Sequence, residues 1–151
     1  MNLQTFGFIG LGLIGGSIAK SLKKADSSIY TVAYNRSKEP LMLAVSEGII
    51  DESAFDINEA FSKCDIIFLC TPVEYNSIYL SKVAAVASPD CIITDVGSVK
   101  GFIHNTVEEL QLLDRFIGGH PMAGSEKTGY EASSDILLEN AYYAITPTAF
   151  T

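Results

Sequence analysis

Three short stretches of this 151-residue chain carry residues whose types and spacing can do chemistry. The first is Gly10-Leu11-Gly12-Leu13-Ile14-Gly15, a G-x-G-x-x-G run placed after an apolar segment and ahead of one with helical period. In that setting Gly10 permits a tight turn, Gly12 lets the backbone approach a pyrophosphate, and Gly15 allows helix and strand to pack closely. The first N–H groups of the helix then face the anion. The second stretch is Asn35-Arg36-Ser37, about 20 residues further on, where an Asp or Glu would bind the ribose 2′-hydroxyl of NAD. A carboxylate there would repel a 2′-phosphate, whereas Asn35, the Arg36 guanidinium and the Ser37 hydroxyl can all hydrogen-bond to one. NADP is therefore the favoured cofactor. NAD stays possible, because an Asn can hold a ribose hydroxyl while Arg36 stacks on adenine or lies in solvent.

The third stretch is split between Asp95-Val96-Gly97-Ser98-Val99-Lys100 and Gly118-Gly119-His120-Pro121-Met122-Ala123-Gly124-Ser125-Glu126-Lys127. His120 is one of two histidines, and an imidazole with an ordinary pKa near 6.5 suits proton acceptance at neutral pH. Pro121 biases it to an extended backbone, and the two glycines before it leave room nearby for a ligand. Ser98 can cap a helix beginning at Val99 and can also hydrogen-bond to a substrate hydroxyl or to His120. Lys100, in the first turn of that helix, opposes the positive dipole end and hints at an anionic ligand. His104, one turn on, reads as structural or exposed.

These stretches need elements to hold them in place. Apolar runs of five to seven residues alternate with segments of helical period, the mark of a parallel sheet covered by helices. Strands are predicted at Thr5–Ile9, Ile29–Tyr34, near Ala54-Phe55, at Ile66–Cys70, Cys91–Asp95, Arg115–Ile117 and Tyr142–Thr146. Helices are predicted from the stripe Ile14, Ile18 and Leu22, over Leu41–Glu47, Asn58–Lys63 and from Pro72 to about Ala87, and from the stripe Ile103, Val107 and Leu110. Gly118 to Lys127 reads as a loop. The expectation is an α/β domain of the Rossmann type over residues 1–151: a doubly wound, mostly parallel sheet with helices on both faces. Ligands in such sheets bind outside the carboxyl ends of the strands, where Thr71-Pro72, Ser98 and His120 all fall.

Composition narrows the function classes. Ten Lys and Arg against 18 Asp and Glu give a formal charge of −8, which repels nucleic-acid phosphates and anionic lipid headgroups. Mean hydropathy is +0.25, yet no uninterrupted run of Ala, Val, Ile, Leu, Met, Phe, Trp, Tyr or Cys exceeds five residues, far below the roughly 20 that span a membrane. The N-terminus lacks the basic start and cleavage site of a secretion signal, so a cytoplasmic location is expected. Cys64, Cys70 and Cys91 form no CxxC pair and read as buried thiols, with no metal site. Tyr75, Tyr79, Tyr142 and Tyr143 read as packing residues.

The run DVGSVK followed by GGHPMAGSEKTG resembles the prephenate and arogenate dehydrogenases of tyrosine biosynthesis, and the likeness extends from FIGLGLIGGS to LLENAYYAITP. The resemblance implies oxidation of a cyclohexadienol bearing a ring carboxylate: hydride leaves the carbinol carbon for the nicotinamide, CO2 is lost, and the ring becomes a phenol. It implies that His120 takes the hydroxyl proton, that Ser98 both caps its helix and assists there, and that Glu126 stands near the site entrance. It implies that Thr71-Pro72 lies along the cofactor.

The family also adds a C-terminal, all-helical dimerisation domain that supplies a substrate-binding arginine. That domain is absent from this chain, whose two arginines are Arg36 and Arg115. The chain alone is therefore expected to bind dinucleotide but to turn over a dicarboxylate substrate very slowly or not at all. Homodimers are expected only with the helical domain, which would cover apolar surface near Ile136-Leu137-Leu138 and Tyr142-Tyr143. Two other readings stay open: a dehydrogenase of the β-hydroxyacid type, and a non-catalytic dinucleotide-sensing module.

Overall fold

Six parallel strands and one antiparallel strand form a single sheet in the order β3-β2-β1-β4-β5-β6-β7. The computed structural model describes residues 4–151. In chain order the elements are β1 (Thr5–Ile9), α1 (Leu13–Ala25), β2 (Tyr30–Tyr34), α2 (Lys38–Ser46), β3 (Glu52–Ala54), β4 (Ile66–Leu69), α3 (Val73–Val86), β5 (Ile92–Asp95), α4 (Gly101–Glu109), β6 (Phe116–Pro121) and β7 (Tyr143–Pro147). The order reverses between β1 and β4. That reversal opens a crevice at the carboxyl ends of the two strands, the place where ligands enter doubly wound sheets.

Side chains alternate across each strand, so neighbouring residues feed opposite cores. Ile9, Ile67, Leu69, Ile93 and Phe116 pack with Leu80 and Val83 of α3 and Ile103 and Val107 of α4. Phe6 and Phe8 pack on the other side with Ile18 and Ala19 of α1 and Leu41 and Ala44 of α2. Helices thus cover both faces, as the alternating pattern predicted. Burying each of the larger of these side chains contributes about 1.5–3 kcal/mol. At the β7 edge Ile136, Tyr142 and Ile145 are exposed.

Several boundaries differ from expectation. Asn58–Lys63 holds only a single 3₁₀ turn, Glu59–Phe61, with the Asn58 side chain accepting from the Ala60 N–H. The third strand is Glu52–Ala54, drawn toward β2 by pairing with Val32–Tyr34. Helix α2 starts at Lys38, which places Pro40 in its first turn. Gly118 to Pro121 are strand rather than loop, because β7 returns antiparallel and pairs Pro121 with Tyr143 and His120 with Ala144. The glycine at 119 is what permits this approach: a Cβ there would meet the Tyr143 ring at 2.7 Å and the Asp95 carbonyl at 2.9 Å.

Candidate functional site

The glycine turn joins the ends of β1 and β2 at the crevice. Gly10 has φ +94°, a conformation that favours glycine, and its N–H donates to the Tyr34 carbonyl at 2.8 Å. The Leu11 N–H donates to Asn35 Oδ1 at 2.9 Å, and Asn35 Nδ2 donates to the Ser37 carbonyl at 3.0 Å. Asn35 is thereby a brace for the turn, and its amide is committed on both sides. A Cβ at Gly15 would strike the Gly10 carbonyl and Cys70, whereas a Cβ at Gly12 would meet no protein atom within 4 Å. Gly12 therefore opens onto the space a ligand would fill. No side chain caps α1, whose N-cap is Gly12, so its first N–H groups are free for an anion. Leu11 and Ile14 turn their side chains into the core, and Leu13 begins α1; these three serve the turn through backbone.

A cavity of about 230 Å3 runs along this edge, lined by Gly10, Gly12, Arg36, Ser37, Thr71, Pro72 and the rings of Tyr34, Tyr75 and Tyr79. Tyr75 and Tyr79 are more than the packing residues the sequence suggested. They sit one turn apart on α3 and share a face toward the cavity, a spacing that would have signalled it. Tyr34 stacks at a tilt on Tyr79, ring centroids 5.7 Å apart, and burial pushes its phenol up. The Thr71 hydroxyl turns inward to the buried Asn76 at 2.6 Å. Cys70 also lines the cavity, and burial raises its thiol far above the ordinary range, so it stands there as a neutral group.

Across the crevice, β5 and β6 carry a buried ion pair. The Asp95 side chain is 0% exposed, and Lys100 Nζ lies 2.7 and 2.8 Å from its two oxygens. Asp95 also accepts from the Gly97 N–H at 3.0 Å and the Gly119 N–H at 3.3 Å. Lys100 donates in addition to the carbonyls of Gly97 at 2.7 Å and Gly119 at 2.5 Å. The mismatch of a lysine at a helix start is thus answered inside the protein by Asp95. This corrects the expectation of an anionic ligand at Lys100. The same ties hold the chain after β5 in a turn, so α4 begins only at Gly101, with Lys100 at its N-cap and no side-chain cap. Ser98 therefore does not cap the helix; it is exposed on the turn.

His120 Nδ1 lies 3.3 Å from the Val96 carbonyl. A carbonyl only accepts, so this contact needs a proton on Nδ1, which leaves Nε2 of the neutral ring as a bare lone pair. The turn bearing Ser98 and the strand bearing His120 are joined by this contact and by the ion pair. Glu126 and Lys127 are exposed beyond β6, and among the described residues no hydrogen bond or ion pair links either to His120. The segment after them is anchored by Tyr130, 1% exposed, which donates to Glu47 Oε2 at 2.6 Å beneath the Lys20 ammonium. His104 is structural: its ring meets the edge of Phe116, centroids 5.9 Å apart. Arg115 donates to the Ser88 carbonyl at 2.6 Å, away from the crevice. Burial raises the Cys64 thiol to about 12 and the Cys91 thiol to about 11, as expected of buried thiols.

Comparison with known proteins agrees with the fold and the glycine turn's nucleotide-binding character. Residues 18–151 match the family described as prephenate dehydrogenase, nucleotide-binding domain. A prephenate dehydrogenase of Bacillus subtilis is 37% identical over 140 residues, 91% of this chain and 38% of that protein. The crystal structure of prephenate dehydrogenase from Aquifex aeolicus, in complex with hydroxyphenyl propionate and NAD+, superposes with TM-score 0.91 at 38% identity, covering all of this chain and 53% of that one. Synechocystis arogenate dehydrogenase superposes at 0.90 with 36% identity, covering 98% of this chain and 51% of that one. The chain thus spans between about two fifths and half of these relatives, and it belongs to the prephenate dehydrogenase family as its nucleotide-binding domain.

Proposed function

We propose that the protein carrying this chain oxidatively decarboxylates prephenate or arogenate with NAD(P), and that residues 1–151 supply the dinucleotide site and the base. The observation that carries this reading is the Nδ1 contact of His120 with the Val96 carbonyl, which frees Nε2 on a strand end beside the dinucleotide crevice. The dinucleotide, when bound, supplies the hydride acceptor. Gly12 with the uncapped α1 start would hold its pyrophosphate, and Thr71-Pro72 with Tyr75 and Tyr79 would wall it in.

His120 Nε2 takes the substrate hydroxyl proton as the carbinol carbon gives up hydride. When the ring C–COO⁻ bond breaks, its electron pair aromatises the ring, and the proton on His120 returns to the phenolic oxygen. Ser98, exposed on the turn that holds His120, hydrogen-bonds to the substrate hydroxyl, and Glu126 stands at the open edge. Arg36 and Ser37 favour NADP over NAD, since Asn35 spends its Oδ1 and one N–H on bracing the turn and no carboxylate lines the cavity. The cationic partners of a dicarboxylate substrate come from outside this chain, because Arg36 lines the cofactor cavity and Arg115 is tied to Ser88. Dimerisation likewise falls to the remainder of the protein.

The test is prephenate- and arogenate-dependent NAD(P)H production by the purified full protein. Turnover is expected, with a loss of about 10²–10⁴ in kcat for His120→Asn. Unchanged turnover in that variant sinks the reading, and dinucleotide binding without turnover of either substrate would point to a sensing module. Residues 1–151 alone should bind dinucleotide with little or no turnover. Calorimetry of NADP and NAD against Arg36→Ala checks the preference: NADP should weaken more, and equal weakening of both would end the phosphate-reading idea.

A further inference from the structure

We propose that Asp95 and Lys100 are positioning residues for His120, acting through the peptide that precedes it; the inference rests on His120 as the base. The backbone ladder between β5 and β6 stops at Asp95 paired with Gly118, two residues short of His120. On the β7 side the pairing continues through His120 to Pro121. On the β5 side only side chains take over. Asp95 Oδ1 accepts from the Gly119 N–H, and Lys100 Nζ donates to the Gly119 carbonyl, which belongs to the peptide bond entering His120. Both polar groups of Gly119 are therefore gripped.

The same pair sets the other wall of the imidazole. Asp95 Oδ2 holds the Gly97 N–H and Lys100 holds the Gly97 carbonyl, which fixes the turn whose Val96 carbonyl faces Nδ1. One ion pair thus places the strand that carries the ring and the acceptor that selects its tautomer. Lys100 has nothing left for a substrate, because an ammonium has three protons and its three partners are Asp95, Gly97 and Gly119. The charge is internally balanced, so the pair orients the base without placing a net charge beside it.

The experiment is ring-nitrogen NMR on the histidine-labelled chain, which has two histidines, with His104 as the internal reference. Neutral His120 is expected in the Nδ1–H form in the wild type. The paired neutral variant Asp95→Asn/Lys100→Met removes the ion pair without stranding a charge, and should cut the Nδ1–H share of His120 at least twofold while His104 is unchanged. Lys100→Arg keeps the charge but cannot direct three converging donors from a planar fork, and should give a smaller loss in the same direction. An Nε2–H ring in the wild type overturns the proposal outright, whether or not a variant folds. So does a wild-type tautomer in either folded variant. Turnover of His120→Asn tests the base assignment separately, so failure of one is distinguishable from failure of the other.

Discussion

The two walls of the crevice solve the same problem with different chemistry. On the β1–β2 side, three segments are drawn together by backbone and one neutral amide: Gly10 on Tyr34, and Leu11 on Asn35, which in turn holds Ser37. On the β5–β6 side, three segments are drawn together by a buried ion pair with four backbone contacts. The first wall must leave N–H groups free for an anion, and a carboxylate bracing the turn would repel the ligand it prepares. The second must hold a titratable ring, and there a neutralised pair gives stronger, more directional anchoring than amides can. The wall with the free helix start is built from uncharged parts, and the wall that carries the imidazole is built on charge cancelled internally.

Breaking the ion pair from one end should have the largest effect. Lys100→Met strands the Asp95 carboxylate where no water reaches it, and thermal or urea denaturation should show a loss of about 3–5 kcal/mol. A loss below about 1 kcal/mol would mean the two walls differ in appearance only. Next come the two glycines on the other wall. Gly15→Ala drives a Cβ into the Gly10 carbonyl and Cys70 and should cost about 1–3 kcal/mol. Gly12→Ala meets only empty space and should leave stability within about 0.5 kcal/mol while abolishing dinucleotide binding. Equal stability losses in the two would show that Gly12 is structural.

Asn35→Ala leaves the Leu11 N–H without its acceptor and should cost about 1 kcal/mol, weakening NAD and NADP alike in calorimetry. The smallest effect is one of pH. Burial alone would raise the Asp51 carboxyl, but Lys23 Nζ at 2.7 Å with the Thr31 N–H and hydroxyl outweighs it and holds the group below the usual carboxylate range. Its stabilisation is therefore complete above the ordinary carboxylate pKa and is lost as pH falls through the lowered folded value. In an acid titration, Asp51→Asn should flatten that last part of the curve and leave the neutral range nearly unchanged. A variant curve parallel to the wild type at low pH would rule this out.

Much of the fold and the dinucleotide wall was legible in the residues. The apolar, Ile-rich run Ile66–Leu69 reads as a strand covered on both faces, and glycines at positions 10, 12 and 15 tolerate few alternatives after a strand. The α4 start was less legible. Ser98 is a residue type favoured as a helix cap, yet it lost to a lysine whose side chain turns back to a buried partner five residues earlier. The GGHP stretch looked like a loop because glycine and proline punctuate chains locally, yet a strand arriving from residues 143–147 made it the sixth strand.

By itself, then, the sequence determined the layered α/β fold, the glycine turn, the lack of a carboxylate at the ribose end and the candidate base, because each rests on local periodicity or on a residue type irreplaceable at its place. Tertiary structure alone decided that Lys100 faces Asp95 instead of a ligand, that Asn35 braces the turn, that three tyrosines wall the cavity, and that His120 turns Nδ1 to the Val96 carbonyl. Those outcomes depend on which groups meet across strands separated by tens of residues. A charge or an amide takes its role from the partner that satisfies it, and the partner is known only once the chain has closed.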